Sequence, residues 1–154
     1  MDSEALATEL NYLLATELCG LARHLENAQP YLTASTYSVW TDVQRMLAAN
    51  THCARRLSEL LDRLELPERP MTHPSSVAAF HYTDLAYLLP LLLDEKRRQV
   101  SSYQRAIGYV DCGPQNEDIV TALTDMLHDH QSQLGQLEDH HRTISADTAI
   151  AERK

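Results

Sequence analysis

Apolar residues recur at intervals of three and four along most of the chain, which is the spacing typical of amphipathic helices. Four such segments occur, over residues from about 3 to 28, 35 to 66, 84 to 110 and 116 to 143. Pro30 and Pro67 follow the first two segments, and the turn Asp111-Cys-Gly-Pro114 separates the last two. We therefore predict an all-α protein with one domain over residues 1–144 and a flexible tail over residues 145–154.

The connections between the predicted helices differ in length. The first and third are short, whereas the second runs from about Leu66 to Thr83 and is rich in proline. A helix of about 27 residues is roughly 40 Å long, and about 17 extended residues can span that distance. The third helix can then run parallel to the second. The sequence therefore predicts an up-down-down-up four-helix bundle with a long crossover between helices 2 and 3.

Each predicted helix has a polar residue near its middle, on or beside its apolar face. A buried carboxylate or ammonium group needs a partner, and four such residues at similar depth favour a shared interior cluster over four separately satisfied side chains. The residues are Glu17, His52, Glu95 or Lys96, and His130.

The segments around these residues resemble the ferritin-like superfamily, which includes the bacterioferritins, from about residue 6 to residue 140. Leu13-Leu-Ala-Thr-Glu-Leu18 is similar to the first-helix ligand segment of that family, with Glu17 as the ligand. Ala49-Asn-Thr-His52 is similar to the second-helix Glu-x-x-His motif, with Ala49 in place of the Glu. The resemblance implies a di-iron centre held by one Glu from each of two helices and Glu-x-x-His from each of the other two.

The third and fourth helices depart further from the family pattern. The segment 103–109 resembles the end of the third helix, and counting back from it places Lys96 at the ligand position, with Glu95 one residue away. The segment 126–134 resembles the fourth helix, with His130 in place of the Glu and Gln133 in place of the His. The resemblance therefore implies an incomplete ligand set.

This set leaves three interpretations open. In the first, the core is metal-free and Lys96 pairs with Glu17. In the second, Glu17, His52 and His130 hold one zinc, copper or iron ion, with Glu95 as a fourth ligand. In the third, the chain is an active iron oxidase or storage subunit. Iron or another divalent metal is thus a candidate cofactor, and haem is not expected because Asn50 occupies the position of the bacterioferritin haem-ligand methionine.

Charge and composition restrict the partners. The net charge of −9 disfavours binding to nucleic acid or an anionic membrane, and no apolar run is long enough to span a bilayer. Three scattered cysteines and the absence of a signal-like N-terminus favour a cytoplasmic protein. A second apolar row on the second helix suggests a homo-oligomer, at least a dimer. That row is Met46, Ala49, Cys53 and Leu60.

The sequence therefore predicts a diverged ferritin-like protein that acts in metal handling, binding or assembly and does not oxidise iron rapidly. A purely structural helical dimer is a further alternative.

Overall fold

The computed structural model describes residues 2–70, 83–111 and 113–151, and over these ranges the protein is all-helical, as predicted. A single-turn 3-10 helix over Pro114–Asn116 precedes the last helix, and one isolated backbone bridge joins Tyr31 to Asp84. Most of the predicted crossover lies outside the described residues. The helices are α1 (Ser3–Cys19), α2 (Leu21–Ala28), α3 (Tyr37–Arg63), α4 (Leu85–Tyr109) and α5 (Glu117–Ala151).

The predicted first helix is divided at Gly20. The backbone there is extended, with φ −68° and ψ 169°, so α1 ends at Cys19 and α2 begins at Leu21. A Cβ atom at Gly20 would lie 2.9 Å from Glu95 Oε1. It would also overlap the backbone carbonyl oxygen of Thr16, so the end of α1 leaves room only for glycine at the break.

The helices pack around a shared core. α1 packs against α3 and α4, and α5 packs against the same two helices, which closes the bundle. The core contains two hydrophobic clusters, one around Leu57 and Tyr103 and the other around Val43 and Leu89. On α3, α4 and α5, buried polar residues lie between the positions that contribute to one cluster and those that contribute to the other, and on α1 the buried Glu17 follows the positions of the first cluster. A polar layer thus separates two apolar halves of the bundle.

The second apolar row of α3 faces this core. Met46, Cys53 and Leu60 are buried, and only Ala49 is exposed. The prediction that this row is a free surface for a second subunit was therefore wrong. Residues three and four apart on a long helix face the same direction, so the two apolar rows form one wide face. On α3 this face is covered by α1 and α5 together.

The last helix is longer than predicted. α5 continues through Thr143 to Ala151, and its residues from 145 onward are exposed. The flexibility of this segment stays a prediction. No helix in the described ranges combines the length and the apolar character needed to cross a membrane.

Candidate functional site

Lys96 lies at the centre of the polar layer and is buried. Its Nζ donates hydrogen bonds to Gln99 Oε1 at 2.9 Å, to Gln133 Oε1 at 2.9 Å and to His130 Nδ1 at 3.0 Å. An ammonium group has three N–H donors, so each donor has one acceptor. Burial lowers the pKa of Lys96, and the nearby carboxylates of Glu17 and Glu95 partly oppose that shift.

His130 separates this ammonium group from a carboxylate. Because Nδ1 accepts from Lys96, the proton of the neutral ring is on Nε2. Nε2 lies 2.8 Å from Glu17 Oε1, but its N–H is not aimed well enough at that oxygen to form a hydrogen bond. The ring stacks on Tyr103, with centroids 5.0 Å apart. Burial and the Lys96 charge lower the pKa of His130, and the interaction with Glu17 opposes them.

Glu17 is 1% exposed, and its two oxygens have different environments. Oε1 accepts from Gln99 Nε2 at 2.5 Å and from the Tyr103 hydroxyl at 3.4 Å. Burial, followed by the charge of Glu17, raises the pKa of Tyr103, so the phenol stays protonated as a donor. Oε2 is buried and has no hydrogen-bond partner among the described residues.

Two amide side chains complete the layer, and the sequence prediction missed both. Gln99 accepts from Lys96 and donates to Glu17. Asn50 accepts from Gln133 Nε2 at 3.2 Å, which adds α3 to the network. Their positions in the sequence could have identified both as members of the layer, since Gln99 is three residues after Lys96 and Asn50 interrupts the apolar stripe of α3. All four long helices therefore contribute to one hydrogen-bonded cluster.

Two of the predicted metal ligands lie outside the cluster. His52 is exposed on α3, and its Nδ1 is 3.0 Å from Arg55 Nη2. Glu95 points to the start of α2, where its two oxygens accept from the Leu21 backbone N–H at 3.0 and 2.9 Å. Of the predicted ligands, the structure brings only Glu17 and His130 together.

The residues present do not fit a di-iron centre. Such a centre needs several bridging carboxylates, whereas this cluster contains Glu17 alone, and Lys96 while protonated offers no lone pair to a metal. A single-metal site with two histidines and a carboxylate also lacks its second histidine, because His52 is on the surface. In the described ranges, no group of three or more His, Cys, Asp or Glu residues is placed to hold a metal ion.

The fold and the site together define a class of protein, a helical bundle with a buried, lysine-centred polar layer. Comparison of the chain with family models, with curated proteins and with solved structures found no match in any of the three. A function for this chain is therefore inferred from the arrangement of side chains in the polar layer.

Proposed function

We propose that this chain is a diverged ferritin-like protein in which Lys96 replaces the metal of the interior site. It acts in binding or assembly and does not oxidise iron rapidly. The observation that carries this proposal is the hydrogen bond from Lys96 Nζ to His130 Nδ1 at 3.0 Å in the interior of the bundle. The nitrogen lone pair that a metal would need is already occupied by an ammonium donor.

The charges of the layer favour an ammonium group over a divalent metal. Glu17 supplies one negative charge and Lys96 supplies one positive charge, so the pair is balanced. A divalent cation added to this cluster would lie close to the ammonium group, and repulsion between like charges is strong where water is excluded. At the position where the resemblance places a metal ligand, this chain therefore has the positively charged ammonium group of Lys96.

Contacts between helices support the up-down-down-up arrangement. As residue numbers rise along α1 and α2, the residue numbers of their partners on α4 decrease, which is expected for antiparallel helices. The same inverse order relates α3 to α5 and α4 to α5. The contacts are Glu9–Arg105, Glu17–Gln99 and Leu21–Glu95 for the first set, Asn50–Gln133 and Arg56–Asp125 for the second, and Lys96–Gln133 and Tyr103–Met126 for the third.

Aerobic iron oxidation tests the proposal. The protein, purified without chelator, is mixed with Fe²⁺ in air, and the appearance of Fe³⁺ is followed by absorbance alongside elemental analysis of the purified chain. We expect oxidation at the rate of buffer alone and no stoichiometric iron, zinc or copper. The Glu17→Ala variant is the matched comparison, and its rate of iron oxidation should also equal that of buffer alone. Oxidation of several Fe²⁺ per chain that is lost in Glu17→Ala would contradict the proposal.

A further inference from the structure

A small cavity adjoins the polar layer on the side of the α1–α2 break. Its volume is about 20 Å³. Polar and charged side chains form one part of its wall, and apolar side chains together with Ala22 of α2 form the remainder. The polar and charged residues are Thr16, Glu17, Arg23, Asn50, Glu95, Lys96 and Gln99. The cavity therefore lies between the hydrogen-bonded cluster and the second helical segment.

The carboxylate on this wall has an unused acceptor. Glu17 Oε2 is buried and accepts no hydrogen bond from the described residues, although Oε1 of the same group accepts two. The three donors of Lys96 are used by Gln99, His130 and Gln133, so the ammonium group has none left for Oε2. An unsatisfied carboxylate oxygen in the interior is costly, and Glu17 lines the cavity, so a donor bound there would lie beside the carboxylate.

The size of the cavity limits the donor to a very small molecule. A site for one water needs roughly 10–15 Å³ of such volume and two or more polar partners. The observed volume of about 20 Å³ meets that need for one molecule. Two carboxylates, Glu17 and Glu95, and two cations, Lys96 and Arg23, balance on the wall, which favours a neutral occupant over an ion.

We propose that the cavity is a binding site for one ordered water molecule that donates a hydrogen bond to Glu17 Oε2. The side-chain amides on the wall supply its other partners. Water then supplies the hydrogen-bond donor that Glu17 Oε2 lacks among the described residues. The proposed water molecule takes no part in the three hydrogen bonds that Lys96 donates.

A crystal structure of the wild-type protein that resolves solvent tests this site directly. We expect a single density peak at about 2.7 Å from Glu17 Oε2, with no anomalous signal at the iron, zinc or copper absorption edges. An empty cavity overturns the proposal. An anomalous peak there also overturns it, because the occupant is then a metal ion.

Oxygen-17 relaxation dispersion provides a solution test, because it counts water molecules that stay bound longer than the protein takes to rotate. Ala22→Val adds two methyl groups at the cavity wall and should remove one long-lived water from the count. Ala48→Val is the matched control, since Ala48 is exposed on α3, and it should leave the count unchanged. A folded Ala22→Val variant with the wild-type count contradicts the proposal, and the wild-type crystal structure decides the matter if that variant does not fold.

Discussion

At the scale of single residues, the polar layer links a buried cation to a buried anion through neutral side chains. Lys96 and Glu17 carry opposite charges, and two side chains bridge them, Gln99 by two hydrogen bonds and His130 through opposite nitrogens of its ring. Gln99 and His130 each contact Lys96 with one end of the side chain and Glu17 with the other. Removal of either charged group therefore leaves the other, and both bridges, with unmet partners.

Replacement of Lys96 by methionine should be strongly destabilising. The variant leaves the Glu17 carboxylate buried without its counter-charge and leaves three acceptors without a donor. Breaking a buried ion pair from one side typically costs about 3–5 kcal/mol. The free energy of unfolding in urea measures the loss.

The double variant Glu17→Gln/Lys96→Met is the matched control for this prediction. It removes both charges, so its loss of unfolding free energy should be smaller than that of Lys96→Met alone. Equal stability of the wild type and Lys96→Met would exclude an ion pair as the organising interaction of the core.

His130 should make stability fall in acid. Burial lowers its pKa below the ordinary 6.5, so the unfolded chain binds a proton at this residue before the folded protein does. The free energy of unfolding therefore decreases as the pH falls from 6.5 toward the lowered folded pKa. Urea unfolding on both sides of pH 6.5 measures this slope.

The variant His130→Gln isolates the contribution of the imidazole. Glutamine keeps an oxygen acceptor near Lys96 but has no proton to bind in this range, so the variant should show a shallower acid slope than the wild type. Identical slopes would mean that groups other than the His130 imidazole account for the acid sensitivity.

At the scale of helical elements, the break at Gly20 depends on a side chain from another helix. Gly20 has no side chain to cap α2, and Glu95 of α4 provides the cap by accepting from the Leu21 N–H with both oxygens. A carboxylate at a helix N-terminus also interacts favourably with the helix dipole. Burial raises the pKa of Glu95, and the hydrogen bond from Leu21 opposes that shift.

Glu95→Ala should loosen α2 while leaving the rest of the bundle folded. Loss of an N-cap typically costs about 0.5–2 kcal/mol, and here the cost should appear first at the amides of Leu21 and Ala22. Hydrogen exchange followed by NMR measures their protection. Asp94→Ala is the control, because Asp94 is exposed and its ion pair with Arg97 is on the surface. Unchanged protection of Leu21 in Glu95→Ala would exclude the cap.

At the scale of the whole molecule, exposed aromatic side chains lie close together on the surface. Tyr31 and Tyr87 are 62% and 68% exposed, and both lie near the backbone bridge between Tyr31 and Asp84. Leu91 follows one turn after Tyr87 and is also exposed. Exposed aromatic residues in one region are typical of interaction surfaces. The prediction of a homo-oligomer stays a prediction, and these residues replace the buried row of α3 as the surface on which to test it.

Sedimentation velocity tests assembly. We expect a dimer or larger species for the wild type, and a shift to smaller species for Tyr87→Asp because a carboxylate at an apolar contact is costly to bury. Gln131→Asp adds the same charge at an exposed position of α5 and should leave the distribution unchanged. A wild-type monomer at all concentrations would contradict the assembly part of the proposed function.

The elements of the fold were predictable to a large extent, and the members of the site only in part. Three- and four-residue spacing located the long helices, because one face of each must be apolar to be buried. The same spacing pointed to Glu17, Lys96 and His130. It could not exclude His52, which lies at the edge of the apolar face of α3, where a small rotation of the helix decides between core and solvent.

The amino-acid sequence by itself determined the all-helical class, the positions of the helices and the presence of polar residues at mid-length. The tertiary structure decided which of these residues meet. Lys96 rather than Glu95 occupies the interior, Glu95 caps α2, and Asn50 rather than His52 represents α3 in the layer. The physical reason is that helical periodicity depends on local spacing, whereas hydrogen-bond partners depend on the rotation and depth at which four helices pack together.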